Sequence, residues 1–134
     1  MVSLADMIDI GKQVAAWLEG AREDWSVARE LVEGGRSRHG LFFAHLALEK
    51  ALKAHVCRRT NDLAPRIHNL VRLAEVANLG ASQEQLDVLA EMNAFSMEGR
   101  YPQSPGPGPT ADEARSYLAR AAEVFEWLSS LLPS

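Results

Sequence analysis

The fold is decided by residues 41–58, which read LFFAHLALEKALKAHVCR. On a helix drawn through this stretch, apolar or small side chains cover most of the circumference, and charge enters its middle only at Glu49, Lys50 and Lys53. A helix that is apolar nearly all round is a central one, covered by neighbouring helices or by a second subunit. We therefore predict that this segment forms the middle of a helical bundle.

The residues before this stretch predict one long helix. Over residues 3–33, apolar or small side chains recur at steps of three and four, as on a helix with one buried stripe. Gly20 falls within that stripe and allows a break there. Gly34 and Gly35 end the helix, and residues 36–40 are expected to form a short basic turn.

The residues after it predict three further helices. A short helix covers residues 67–77, a fourth runs over 82–97, and the last covers about 110–132. Two capping boxes mark helix starts, Ser82 with Gln85 and Thr110 with Glu113. No strand-like alternation or repeat is seen. The predicted fold is all-α, an antiparallel up-and-down bundle of about five helices.

Composition restricts the function. The 134 residues carry 14 basic and 18 acidic side chains, a net charge of −4, which argues against a DNA-coating protein. Cys57 is the single cysteine, so an intramolecular disulfide or a Cys-based zinc site is excluded. The histidines show no close metal-ligand spacing, and we predict no metal and no cofactor. With no signal peptide or membrane-spanning stretch, we expect a soluble cytoplasmic protein that does not bind membranes.

Four pieces of sequence occur in the order and spacing of a known family. They are AREDWSVA at 21–28, FAHLALEKALKA at 43–54, HNL at 68–70 followed by Leu73, and RYP at 100–102. Together they resemble the HEPN family, in the branch associated with minimal nucleotidyltransferases. The resemblance covers about residues 12–130, which makes residues 1–134 a single HEPN-like domain.

The resemblance implies a helical bundle, usually a homodimer, linked to nucleotide or RNA chemistry. It also implies a minimal nucleotidyltransferase as a possible partner in a toxin–antitoxin-like or defence system. Many members are ribonucleases whose active site is an arginine followed a few residues later by a histidine. In this sequence no histidine follows Arg100, since the last one is His68. The ribonuclease signature is therefore absent at the matching place.

The central helix supplies the first candidate ligand-binding residues. Glu49 and Lys53 are four residues apart in the order that favours an ion pair within a helix. His45 lies one turn earlier on the same stripe, and Lys50 is adjacent. These residues are either a polar strip on an apolar helix or a site facing a groove, and charges on a mostly buried helix need partners in both cases.

His68, Arg100 and Tyr101 complete the candidate set. His68 is either a helix cap, a hydrogen-bond partner of a carboxylate such as Glu49, or a ligand-binding group. Arg100 is either a helix-end arginine or a phosphate-binding group. We predict that Glu49 and Arg100 share one polar cluster with Lys53 or His68. A basic patch would also form if two connections of the chain met, from Arg36, Arg38, His39, Arg58, Arg59 and Arg66.

Three functions are compatible with these residues. The favoured one is a binding and interaction module for a nucleotide or a nucleotidyltransferase partner. The alternative is a metal-independent ribonuclease with a non-standard active site, in which His45 or His68 is the base and Lys53 and Arg100 are the cations, provided that these side chains converge. The third is a helical adaptor without a small ligand.

Overall fold

The computed structural model describes residues 8–98 and 107–132, and these residues contain helices and no strand. The all-α helical bundle is therefore confirmed. Five helices have two turns or more, and a sixth is a single turn. The helices are α1 (Ile10–Glu33), α2 (Ser37–Thr60), α3 (Leu70–Ala77), α4 (Gln83–Met92), α5 (Phe95–Glu98) and α6 (Ala111–Ser130).

Helices α1 and α2 form an antiparallel hairpin. Helix α1 is continuous through Gly20. It ends at Glu33, and Gly35, just past the C-cap Gly34, has a φ of 82°, a left-handed conformation that glycine adopts without steric cost. There Arg36 N–H donates to Leu31 O at 2.8 Å and Gly35 N–H donates to Val32 O at 3.1 Å, which is the Schellman pattern. The predicted glycine stop is confirmed.

Helix α2 begins at Ser37, so the prediction of a basic turn over residues 36–40 is wrong. The reason is the close approach of the two helices at Gly40. A Cβ atom at Gly40 would lie 2.5 Å from Val32 Cγ2 and 3.1 Å from Ala28 O. Gly40 therefore serves helix packing rather than a turn, and the chain can enter α2 directly after the Schellman motif.

Helix α3 is shorter than predicted because an asparagine stands at each end. Asn69 is the N-cap, and its side chain accepts a hydrogen bond from Arg72 N–H at 3.1 Å. Asn78 ends the helix in the left-handed conformation, with φ 52°. Ile67 and His68 consequently lie in the irregular connection 61–69 and not in a helix.

The helix predicted over residues 82–97 is divided at Asn93. Helix α4 ends at Met92, and the single turn α5 starts at Phe95. The Asn93 side chain accepts a hydrogen bond from Leu70 N–H at 2.8 Å, so Asn93 caps a different helix. Both predicted capping boxes are present, one at the start of α4 and the other at the start of α6.

Helix α2 lies at the centre of the bundle, as predicted. It packs against α1, α3, α5 and α6, and its buried residues lie on all sides of it. Helices α1 and α6 also contact each other directly, since Trp25 of α1 stacks on Phe125 of α6 with the ring centroids 4.9 Å apart. No helix among the described residues is long and apolar enough to cross a membrane.

The end of α6 is tied to α2 through backbone carbonyls. His55 Nε2 lies 2.8 Å from Leu128 O, and Arg58 donates to Leu131 O at 3.3 Å. Burial lowers the pKa of His55, which favours its neutral form. These two side chains therefore satisfy carbonyls at a helix end that would otherwise lack partners.

The basic residues do not gather into one patch across the two connections. Arg36, Arg38 and His39 lie at the start of α2, whereas Arg58 and Arg59 lie at its end. A helix of 24 residues is roughly 36 Å long, at about 1.5 Å per residue. The two groups are therefore separated by most of the length of the bundle.

The Gly40 contact leads to a stability prediction. Gly40→Ala should lower the free energy of unfolding by about 1–3 kcal/mol, because the added methyl group overpacks the interface between α1 and α2. Gly11→Ala is the matched control, since a Cβ there meets only Asp9 Oδ1, at an ordinary 3.4 Å. The control should be neutral or stabilising by less than about 1 kcal/mol. Urea denaturation measures both, and equal effects would contradict the packing role of Gly40.

Candidate functional site

A buried carboxylate is the centre of the candidate site. Glu49 is only 6% exposed, in the middle of α2. Its Oε2 lies 3.2 Å from Lys53 Nζ, one turn later on the same helix. His68 Nδ1 approaches from the 61–69 connection to 3.1 Å from Oε1 and 3.3 Å from Oε2. His45 Nδ1 is 4.0 Å from Oε1. We call Glu49, Lys53, His68 and His45 the Glu49 cluster.

Lys53 is buried as deeply as Glu49, with 6% of its surface exposed. Besides Glu49, its ammonium group lies over the ring of Trp17 of α1, 5.4 Å from the ring centroid. A cation over an aromatic face is stabilised by the ring quadrupole, and the more so where water is excluded. The charge of Lys53 is thus compensated by a carboxylate and by an aromatic ring.

His68 is the exposed member of the cluster. Its side chain is 54% exposed, whereas those of Glu49 and Lys53 are 8% exposed. The connection that carries His68 is held by the adjacent Asn69, whose Oδ1 accepts a hydrogen bond from Asn93 Nδ2 at 3.2 Å. The cluster therefore reaches solvent through an imidazole ring on an anchored connection.

Lys50 does not belong to the Glu49 cluster. Its Nζ lies 2.7 Å from Asp24 Oδ2 on α1. To reach that carboxylate, the lysine side chain crosses α1 at Gly20, where a Cβ atom would stand 3.2 Å from Lys50 Cδ. Lys50 and Asp24 thus form a separate ion pair between the two helices of the hairpin.

The structure brings together three of the seven predicted site residues in direct contact and places a fourth beside them. Glu49, Lys53 and His68 form hydrogen bonds, and His45 borders them. Arg100 and Tyr101 lie outside the described residues, so the predicted contact between Glu49 and Arg100 stays a prediction. The prediction also placed Lys53 or His68 beside Glu49, and both of these side chains contact the Glu49 carboxylate.

The cluster is held together by hydrogen bonds, and its carboxylate and imidazole groups are of the kinds that can also take up or give up a proton. A carboxylate that orients an imidazole is a common arrangement for positioning a proton donor or acceptor. Within residues 8–98 and 107–132, no group of three or more His, Cys, Asp or Glu side chains is placed to hold a metal ion. Further along the same stripe of α2, burial raises the pKa of Cys57, which keeps its thiol protonated.

Sequence reasoning missed two residues that shape this region. Asp24 lies within the quoted segment 21–28, and Asn93 lies inside the helix that was predicted over residues 82–97. Asp24 could have been found from its spacing. It lies three residues after Ala21 and four before Ala28, on the side of α1 that was expected to pack against the apolar helix carrying Lys50. For Asn93 no local signal exists, because its partners are more than 20 residues away in the chain.

The fold and the cluster define a class of protein, an all-α bundle with a charged hydrogen-bonded site on its central helix. The model of the HEPN domain family matches residues 14–131. The chain therefore belongs to the HEPN domain family. No protein with a curated function matches the sequence.

Two solved structures have the same fold. TT1696 from Thermus thermophilus superposes with a TM-score of 0.78 at 22% identity, over 90% of this chain and 98% of that one. ST0689, described as an archaeal HEPN homologue, superposes with a TM-score of 0.70 at 20% identity, over 88% of this chain and 96% of that one. At these identities the likeness concerns the fold alone.

The buried ion pair leads to a prediction. Lys53→Met should destabilise the protein by about 3 kcal/mol, because it leaves the buried Glu49 carboxylate without its cation. Lys50→Met should cost roughly 1 kcal/mol or less, since Lys50 is partly exposed. Chemical denaturation of both variants provides the comparison.

A double variant tests the cause. Glu49→Leu combined with Lys53→Met removes both charges and should be more stable than Lys53→Met alone. If the double variant is less stable than the single one by the full cost of losing Glu49, the two side chains act independently.

Proposed function

We propose that this HEPN domain protein is a nucleotide-binding and interaction module. It acts as a homodimer together with a minimal nucleotidyltransferase, in a toxin–antitoxin-like or defence system. The observation that supports the binding function most directly is the Glu49 cluster. The nucleotidyltransferase partner rests on the resemblance of segments 43–54 and 100–102 to that branch of the family.

The energetics of the cluster support a binding role. Two charged side chains on the most buried helix carry a desolvation cost, and apolar residues of similar size often give equal or greater stability. If the role of these charges were purely structural, the ion pair between Glu49 and Lys53 would be sufficient, and no third polar group would be needed. The cluster instead extends to His68, which is half exposed and adds little packing.

The position of the cluster also favours a ligand. His68 directly precedes Asn69, the N-cap of α3, and Asn93, just after the end of α4, accepts a hydrogen bond from Leu70 N–H at the start of α3. The groups around Glu49 thus come from α1, α2 and the 61–69 connection. Convergence of several elements on a few polar groups is typical of ligand sites.

Nucleotide binding is tested with ATP and AMP by isothermal titration calorimetry. The wild-type protein should bind at least one of them, and His68→Ala should weaken binding about ten-fold, since it removes the exposed hydrogen-bonding group of the cluster. His39→Ala is the control, because His39 is an exposed histidine at the start of α2, away from the Glu49 cluster in the middle of that helix.

The control separates two sites. Weakening by His39→Ala but not by His68→Ala would place binding at the basic start of α2 and would contradict the proposal. Absence of binding to both nucleotides would contradict it as well. Metal-independent cleavage of RNA by the same protein, abolished by His68→Ala, would instead favour the ribonuclease alternative.

The least covered strip of α2 supports the homodimer. Phe42, Phe43 and Leu46 are only half-buried, although the residues on the other sides of α2 are buried. The rings of Phe42 and Phe43 meet edge to face, with centroids 5.8 Å apart. An apolar strip of this kind on a central helix is suited to cover by a second subunit.

Light scattering tests the dimer. At micromolar concentration the mass should be twice the 14.7 kDa of one chain. Phe42→Asp should shift the protein to monomer, because it buries a charge in the interface. Leu63→Asp is the control, since Leu63 is an exposed apolar side chain on the 61–69 connection. A wild-type mass equal to one chain, or dissociation by the control alone, would contradict the proposal.

A further inference from the structure

The contact between Glu49 and His68 has a defined direction. An ionised carboxylate can only accept hydrogen bonds. Glu49 accepts one from Lys53, and both of its oxygens lie within 3.3 Å of His68 Nδ1. Nδ1 must therefore be the nitrogen that carries a proton in this contact.

The proton on Nδ1 determines the character of Nε2, the other ring nitrogen. In a neutral imidazole one nitrogen donates and the other accepts, so Nε2 of His68 presents a lone pair. The His68 side chain is 54% exposed, and no described residue forms a hydrogen bond to Nε2. A hydrogen-bond acceptor thus stands at the surface, oriented from beneath by a buried carboxylate.

We propose that Nε2 of His68 accepts a hydrogen bond from a neutral donor group of the ligand, and that Glu49 is the positioning residue which fixes the tautomer. The inference rests on the proposed nucleotide binding and specifies it. On an adenine nucleotide, the neutral donors are the hydroxyl groups of the sugar and the exocyclic amine of the base. Phosphate oxygens that are ionised only accept hydrogen bonds, so the phosphate does not occupy this position when the ring is neutral.

Asn93 is a second positioning residue for the same ring. Its Oδ1 accepts from Leu70 N–H at 2.8 Å and its Nδ2 donates to Asn69 Oδ1 at 3.2 Å. Asn69 Oδ1 also accepts from Arg72 N–H, which closes the first turn of α3. Because His68 directly precedes Asn69, these bonds fix the backbone from which the imidazole reaches Glu49.

The tautomer is read by nitrogen NMR of the histidine rings at about pH 8, where an ordinary histidine is neutral. Wild-type His68 should show the Nδ1–H form. Glu49→Gln should convert it to the Nε2–H form. Lys53 can only donate, so the amide oxygen turns to Lys53 and the amide NH2 donates to Nδ1. An Nε2–H or doubly protonated ring in the wild type would overturn the proposal.

Asn93→Ala tests the tautomer without removing a charge from the cluster. It should lower the Nδ1–H population of His68, because the connection before α3 loses two hydrogen bonds. Gln83→Ala is the control, since it removes an amide side chain that bonds only Asp87 at the other end of α4. An unchanged tautomer in Asn93→Ala would overturn the role of Asn93, even if the overall fold is slightly destabilised.

The donor group is identified with three nucleotides. AMP is compared with dideoxyadenosine monophosphate, which lacks the sugar hydroxyls, and with purine riboside monophosphate, which lacks the exocyclic amine and adds no other donor. One of the two analogues should bind about ten-fold more weakly than AMP, and this difference should disappear in Glu49→Gln. Equal affinities for all three would overturn the donor assignment. If wild-type protein binds no nucleotide, the proposed function fails, while the tautomer measurement still decides the orientation of His68.

Discussion

The buried negative charge of Glu49 on the central helix is the constraint on which the arrangement of the surrounding polar groups depends. Glu49 stands among apolar neighbours, where an unpaired carboxylate would cost several kcal/mol. Its hydrogen-bond partners are Lys53, one turn later on the same helix, and His68 from the 61–69 connection, while His45 borders them one turn earlier on α2. Trp17 of α1 then covers the cation. Trp17 of α1 and His68 of the 61–69 connection thus meet α2 at one ion pair, within an interface that is mostly apolar.

The connection before α3 shows how this need is met without regular structure. Residues 61–69 are not helical, yet the last two of them, His68 and Asn69, are fixed by hydrogen bonds of their side chains. His68 bonds to Glu49, and Asn69 bonds to Asn93. Asn93, at which the predicted fourth helix is divided, is the residue that holds Asn69 in place. The regular α-helix stops at Met92, and the Asn93 side chain instead accepts the hydrogen bond of Leu70 N–H at the start of α3.

The fold could be predicted from the sequence because its determinants are local. The apolar circumference of residues 41–58, the capping boxes at Ser82 and Thr110, and the glycine stop after α1 each act within a few residues. Asn69 and Asn78, which shorten α3, also act locally, whereas the errors at Gly40 and Asn93 depend on contacts with other helices. Gly40 was interpreted as a turn residue because nothing local reveals that Val32 and Ala28 press against it.

The candidate site was predictable only in part, for the same reason. Spacing along α2 indicated the Glu49–Lys53 pair, since residues four apart share a helix face. The partner of His68 could be named only among alternatives, because it lies 19 residues away. Lys50 is adjacent to Glu49 in sequence but faces Asp24, and that choice depends on how α1 is rotated about its axis.

The crossing of Lys50 over Gly20 determines where the hairpin of α1 and α2 tolerates changes of length. One residue inserted into either helix between this crossing and the Gly35 turn would rotate the distal part by about 100° and advance it by about 1.5 Å. The lysine stem would then meet a side chain instead of a hydrogen atom, and Asp24 would face an apolar surface. An insertion in the turn itself leaves both helices in phase. Homologues of this chain should therefore vary in length at residues 34–36 and keep a constant number of residues along the two helices.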